Sequence, residues 1–488
     1  MDRLANLLAA DILSPIDVEF AQRMGKNKEE QLFLAFLFKS SREGHLCFST
    51  DEISDSVLRE EVEKGQATSD FVVHEKGLWY FTRNFIGEKK VMVQLARLKS
   101  KEPGRPLRLS ASQLSTEQGK CFDIIEKQTV TFVCGGPGTG KTHLASTLIE
   151  ACLDQEVVVA APTGKAAQGI RNRLSSQSHR LTIGTLHSIL KVYHPFPQIP
   201  YLTADLVVVD EGSMIDARLF AHLLTAVKTG ARLVILGDPD QLPPVSSGNL
   251  FADLAKREGV FLKTCHRTEL HEIILLAKLI KEGKSEQVLP FVKKYPQVLD
   301  FQPIPKKEIL AKKVKCPTSI EEAFEAFERT RYLTPLRRGP YGVSALSRQI
   351  PRQGIIPILI RENEPQMDFY NGDFGLIEGD RAYFLGKEPL PLVLLPSYEE
   401  AYFLSVHKSQ GSEYDEVHVL LPEGSELFGR EMLYTAVTRA RKRVVLYGEE
   451  GLIKKIISQK TGRLSGINDS PYAKSVTQTS LNARKTGF

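Results

Sequence analysis

The stretch Gly135-Gly136-Pro137-Gly138-Thr139-Gly140-Lys141-Thr142 decides how this 488-residue chain is read. It follows the apolar run Thr129-Val130-Thr131-Phe132-Val133-Cys134 and precedes a helix-like segment, residues 143–152. A buried strand that enters a glycine-rich turn and then a helix aims successive backbone N–H groups, and the positive end of the helix dipole, at a polyphosphate. At this spacing Lys141 reaches the β- and γ-phosphates and the Thr142 hydroxyl binds Mg²⁺. A nucleotide is therefore expected, and the remaining question is what it drives.

Around this loop, residues 110–255 alternate apolar strands with helical patterns, the signature of a parallel sheet covered on both faces. Strands are expected at 129–134, 157–161, 206–209 and 233–236. Ligands of open α/β sheets sit at the carboxyl ends of strands, so the polar clusters there should converge on the phosphate loop. The second strand leads into Thr163-Gly164-Lys165, the third into Asp210-Glu211-Gly212-Ser213, and the fourth into Gly237-Asp238-Pro239-Asp240-Gln241. In the Asp210-Glu211 pair one carboxylate can hold Mg²⁺ while the other orients the attacking water. Gln241 is placed to sense the γ-phosphate, with a plain turn amide as the lesser alternative.

The chain is too long for one core. Residues 1–109 read as a separate, mostly helical docking unit without a catalytic motif, and 99–108 as a linker. A second lobe is expected over 256–350 and 400–455, interrupted by a small β insertion at 351–399. A flexible tail is expected at 456–488. The second lobe has no phosphate loop but offers Arg267 and Arg439. Either would more often be a surface arginine, yet an arginine placed across a cleft couples hydrolysis to closure. Tyr341, Tyr370, Tyr402 and Tyr434 are candidates for base stacking and equally candidates for the core.

With 42% hydrophobic and 25% charged residues, the composition is that of a globular protein. No apolar run reaches the length of a membrane span, and residues 1–3 do not begin a signal segment, so the cytoplasm is expected and no membrane partner. The six cysteines are scattered, which indicates neither a disulfide framework nor a zinc site. A net charge of +5 permits a polyanionic partner without requiring one. No carboxylate cluster suggests that the chain itself cuts DNA.

The ordered set of motifs resembles the superfamily 1 DNA helicases, and within them the RecD family, the alpha subunits of exodeoxyribonuclease V. The matching segments include Leu114 to Gln118, the phosphate loop, Ala161 to Ala167, Thr185-Leu186-His187, Asp210 to Met214 and Gly237 to Val245. They continue with His266-Arg267, Asn371 to Gly375, Ser405 to Glu413 and Tyr434 to Arg441. A shorter N-terminal likeness lies in Ile12 to Ala21. The resemblance implies an α/β fold with two RecA-like P-loop NTPase lobes, and an SH3-like β insertion in the second. It implies that Gln118 recognises adenine, that Lys141 and Thr142 bind ATP phosphates and Mg²⁺, and that Asp210 and Glu211 handle metal and water. Gln241, Arg267 and Arg439 would watch the γ-phosphate. Thr163, Lys165, His187, Ser405, His407, Lys408 and Gln410 would line a single-strand DNA track, with movement 5′ to 3′. It further implies RecB- and RecC-type partners in a heterotrimer, with the N-terminal domain docked on one of them. A stand-alone helicase and a non-translocating ATP-dependent scaffold remain as alternatives. Residues 191–201 are a guess for the strand-separating pin. Reading Gly212 where relatives often have Ala is expected to matter little.

Overall fold

The computed structural model describes residues 3–105, 107, 114–152, 154–174, 179–192, 198–265, 271–314, 317–350 and 354–467. The N-terminal region packs the helices Arg3–Ala9, Pro15–Met24, Lys28–Arg42 and Ser56–Lys64 against a three-stranded antiparallel sheet of Cys47–Phe48, Leu78–Phe81 and Val72–Glu75. The Pro15–Met24 helix starts where it does because Ser14 and Asp17 close on each other. Asp17 Oδ2 accepts from the Ser14 N–H at 2.8 Å and from its hydroxyl at 2.6 Å. The same buried carboxylate takes the Arg42 guanidinium at 2.9 and 3.0 Å, tying one helix start to the end of the next helix.

This region is not packed as a separate unit. Its last helix, Thr82–Lys99, places Val91, Leu95 and Leu98 in one core with Phe132, Phe220 and Phe251 of the nucleotide lobe. Arg97 fixes the contact by donating to the Leu224 and Val227 carbonyls at 2.7 and 2.8 Å and to the Thr229 hydroxyl at 2.7 Å.

The first lobe is a six-stranded sheet in the order Leu181–Thr185, Val157–Ala161, Leu206–Val209, Arg232–Gly237, Val130–Gly135, Val260–Leu262. Every pairing is parallel. Its four central strands are apolar runs buried on both faces, as a sheet sandwiched between helices requires. Val260–Leu262 corrects the expected boundary at 256. Val133 faces Val260 and Gly135 faces Leu262, so this strand completes the first lobe instead of opening the second. Three residues carry too little pattern for the sequence to reveal this.

The second lobe has five parallel strands in the order Leu299–Gln302, Ala440–Tyr447, Tyr414–Leu420, Thr330–Thr334, Phe403–Ser405. Between its strands Thr330–Thr334 and Phe403–Ser405 lies a five-stranded antiparallel sheet running from Ile356–Ile360 to Tyr398–Glu400.

Of the flexible tail expected at 456–488, Ile456 and Ile457 are buried in the helix Glu450–Ser458, and residues 459–467 are packed as well. They leave the second lobe after the helix Glu450–Ser458 and cross to the seam between the N-terminal region and the first lobe. There Arg463 donates to the Ser246 and Gly248 carbonyls and Leu464 pairs its backbone with His45 and Leu46. Ser465 bonds Asp253 at 2.7 Å, and Ile467 is fully buried in the first-lobe core. Polar composition suggested mobility, but the buried carboxylates of Asp253 and Glu88 need hydrogen-bond donors, which Ser465 and the Gly466 N–H supply. The rest of that segment, 468–488, lies outside the described residues.

Candidate nucleotide and nucleic-acid site

The strand Val130–Gly135 ends at the loop, and the helix Lys141–Glu150 starts from it. Gly138 and Gly140 stand at φ +72° and +82°, conformations that side chains disfavour, so the turn into the helix depends on glycine. Thr139 braces the turn through its hydroxyl to the Gly136 carbonyl at 2.9 Å. Lys141 Nζ lies over the loop, donating to the Gly135 and Gly136 carbonyls at 2.6 and 3.0 Å. The loop thus presents backbone N–H groups and one ammonium in the same place.

Gln118 sits beside this loop. Its Oε1 accepts from the Ser115 N–H at 3.1 Å, closing a capping box on the helix Thr116–Lys127, and its Nε2 donates to the Gly140 carbonyl at 3.3 Å. Next to it, Ser115, Glu117, Lys120, Phe261 and Lys263 line a depression of about 580 Å³.

Asp210 and Glu211 follow the strand Leu206–Val209. Asp210 accepts from the Glu211 N–H at 2.8 Å. Burial pushes both carboxyls above their ordinary values, and each feels the positive charge of Lys141. Glu211 has φ +53°, a strained backbone for a residue with a Cβ, and the charge of Arg439 reaches it from the second lobe. Gly212 matters more than the sequence suggested. A Cβ there would come within 2.7 Å of Ile235 and 2.8 Å of Phe251, so the turn that poses Glu211 is packed too closely for alanine.

Arg439 is buried and held by its own lobe, with Nε on the Thr435 carbonyl at 3.2 Å and Nη1 on the Ser412 carbonyl at 3.3 Å. Arg267 lies outside the described residues, as do positions 193–197 of the pin guess.

The turn Gly237-Asp238-Pro239-Asp240-Gln241-Leu242 is where the lobes meet. Tyr434 donates its hydroxyl to Asp238 Oδ2 at 2.7 Å, and Thr435 Oγ1 accepts from the Leu242 N–H at 2.8 Å. Gln410 donates to the Leu242 carbonyl at 3.2 Å, and Lys281 pairs with Asp240 at 2.5 Å. Sequence reasoning missed Asp238 and Thr435, whose partners lie almost two hundred positions away. Tyr434, a candidate for stacking and equally for the core, is buried and gives its hydroxyl to this seam, and Gln410, expected on the DNA track, gives its amide nitrogen to it. Tyr402 is core.

The other expected track residues divide between the lobes. Thr163 caps the helix Gly164–Arg171, Lys165 lies over the Tyr414 ring at 5.7 Å, and Gly411 packs beside Thr163. Thus the first-lobe residues Thr163 and Lys165 face the 405–414 segment of the second. Ser405 caps the turn Val406–Ser409, and Lys408 is paired with Glu399 of the insertion at 2.7 Å. Half-buried His407 is pushed down to about 4 by burial and by the charges of Arg463 and Arg337. His187 is lowered by burial too, and sits on the short helix Leu186–Ile189 near Asp216.

Comparison with known proteins places the chain in a family. A family model described as an AAA domain matches residues 113–300, and one described as a UvrD-like helicase C-terminal domain matches residues 400–447. The chain is 31% identical over 463 residues to the RecBCD enzyme subunit RecD of Mycobacterium tuberculosis, covering 81% of this chain and 80% of that one. It is 29% identical to the RecD subunit of Mycolicibacterium smegmatis, covering 94% and 97%. A solved structure of Bacteroides Pif1 bound to ssDNA aligns over 76% of this chain and 98% of that one, at 16% identity and a TM-score of 0.46. With the glycine-rich loop and the acidic pair at the strand ends of one lobe, and with likeness to RecD subunits running along four-fifths of the sequence, the chain belongs to the RecD family, the ATP-dependent DNA helicase subunits of RecBCD-type enzymes.

Proposed function

We propose that this chain hydrolyses ATP to move 5′ to 3′ along single-stranded DNA and open duplex ends, as the RecD-type subunit of a cytoplasmic exodeoxyribonuclease V with RecB- and RecC-type partners. The observation that carries it is the seam: Lys141, Asp210 and Glu211 belong to one lobe, Arg439 to the other, and the charge of Arg439 reaches Glu211.

Lys141 steadies the transferred phosphates, Glu211 aligns the attacking water and accepts its proton, and Arg439 balances charge that grows in the transition state. Mg²⁺ suits Thr142 and Asp210, because a buried carboxylate at the loop gains from a cation; the ion supplies charge neutralisation on the phosphates. Gln118 and the depression beside it are the adenine subsite of this reading. Thr163, Lys165, His187, Ser405, His407 and Lys408 form the strand track, so opening and closing of the seam changes the distance between two halves of the DNA contact. Among the described residues no helix is long and apolar enough to cross a membrane.

The subunit reading is favoured over a stand-alone helicase because likeness to RecD of M. smegmatis covers 94% of this chain, N-terminal region included. Likeness to the ATP-dependent RecD2 DNA helicase of Deinococcus radiodurans covers 68%. A scaffold without motor activity would not need Lys141, Glu211 and Arg439 together. The deciding experiment is ATP-dependent strand separation by the purified chain on duplexes with a 5′ or a 3′ tail, with Lys141→Gln as control. Opening of the 5′-tailed duplex alone supports the polarity. ATP hydrolysis that DNA does not stimulate would favour the scaffold.

A further inference from the structure

The buried carboxylate of Asp238 is not needed as a metal ligand or a base in the reaction above, yet it accepts hydrogen bonds from both lobes. It accepts from the Asp240 N–H at 3.1 Å and from Gln241 Nε2 at 3.4 Å, both in its own lobe. From the second lobe it accepts the Tyr434 hydroxyl at 2.7 Å. The short contact is the inter-lobe one. Tyr434 is also the second-lobe group that reaches the phosphate loop, since a Cβ on Gly136 would lie 3.3 Å from its hydroxyl.

Gln241 shows what this arrangement holds. It is 5% exposed, and its Oε1 has no hydrogen-bond partner among the described residues. A buried amide oxygen without a partner is costly unless a ligand or water meets it there. With the amide nitrogen turned to Asp238, the oxygen is left as an acceptor.

We infer that Tyr434 and Asp238 form a positioning pair through which the second lobe sets Gln241: when the lobes close, the tyrosine hydroxyl fixes Asp238, Asp238 fixes the amide nitrogen, and the amide oxygen accepts a hydrogen bond from the attacking water. This deepens the proposed function and rests on it. Neither member touches the reacting atoms. Their effect falls on how often Gln241 is correctly posed, so it appears in turnover and leaves nucleotide affinity alone.

The test is ATP hydrolysis by the full chain with saturating single-stranded DNA, comparing wild type, Tyr434→Phe, Asp238→Asn and the double variant, with ADP binding and melting temperature measured alongside. Tyr434→Phe removes one oxygen and keeps the ring in the core. It is expected to lower kcat about tenfold with KM unchanged, the scale of one lost charge-assisted hydrogen bond. The double variant should be no worse than the poorer single one, because both act through the same contact. A Tyr434→Phe enzyme with wild-type kcat overturns the pair, as do losses that multiply in the double variant or a rise in KM that accounts for the whole effect. A wild-type chain whose hydrolysis ignores DNA overturns the motor reading, and this inference with it.

Discussion

The two lobes share a parallel-sheet architecture and divide the work unequally. In the first, the strand Val130–Gly135 runs into glycines, so backbone N–H groups are available and the helix Lys141–Glu150 points its positive end at them. In the second, the strand Thr330–Thr334 runs into Pro335, which has no N–H, and Thr334 turns its hydroxyl to the Tyr341 carbonyl at 3.1 Å. One lobe grips with backbone. The other contributes side chains, Arg439, Tyr434, Thr435 and Gln410, each held by or aimed at the seam. On the proposed reading, a nucleotide held between two similar sheets would make their separation sensitive to it.

That comparison is broken most severely at the loop. Lys141→Gln should reduce hydrolysis to background, a loss on the order of a thousandfold, while the melting temperature holds. Wild-type turnover in this variant would remove the loop from the reaction. Next comes the other side. Arg439→Ala should lower kcat by about a thousandfold and weaken nucleotide binding far less, as expected of an arginine that acts on the transition state. Equal losses in kcat and affinity, read by stopped-flow binding of a fluorescent nucleotide, would make it a ground-state contact.

The packed segment 459–467 sharpens the comparison from a different side, because it joins the second lobe to the first away from the nucleotide. Ile467→Ala should cost about 3 kcal/mol in a denaturant titration through the cavity it leaves. The nucleotide site is otherwise untouched, so kcat should stay within twofold of wild type. A large fall in kcat without loss of stability would mean that the strap governs lobe motion.

The smallest effect is one of pH. His407, held at about 4 by burial and the two arginines, is neutral in the fold well below the ordinary histidine range of about 6.5. The unfolded chain then binds the extra proton, so this group destabilises the protein progressively as pH falls from about 6.5 toward 4, and contributes nothing above that window. His407→Asn should lose less melting temperature than wild type between about pH 7 and pH 5. Parallel curves would show that His407 titrates in the fold as it does in the unfolded chain.

The β insertion was readable because Asn371-Gly372-Asp373 and Glu378-Gly379-Asp380 interrupt short apolar runs, and hairpin turns need such residues. The end of the first lobe was not, because Val260–Leu262 is defined by its neighbour Val130–Gly135 and has no pattern of its own. The same holds at the site. Lys141, Thr142, Asp210 and Glu211 stand at strand ends with a local signature. For Tyr434 the sequence leaves the choice between stacking and the core open, and for Gln410 it does not reveal the bond to the seam, since what each bonds depends on a turn far away in the chain.

By itself, then, the sequence determined the glycine-rich turn from strand to helix, the place of the acidic pair at a strand end, the parallel sheets and the family, because each is encoded by neighbours in the chain through backbone geometry and hydrophobic period. The tertiary structure alone decided that Asp238 takes part in the contact between the lobes, that Gly212 must be glycine, and that residues 459–467 are a strap. Each of these depends on filling a space or satisfying a buried polar group with a partner that sequence distance hides.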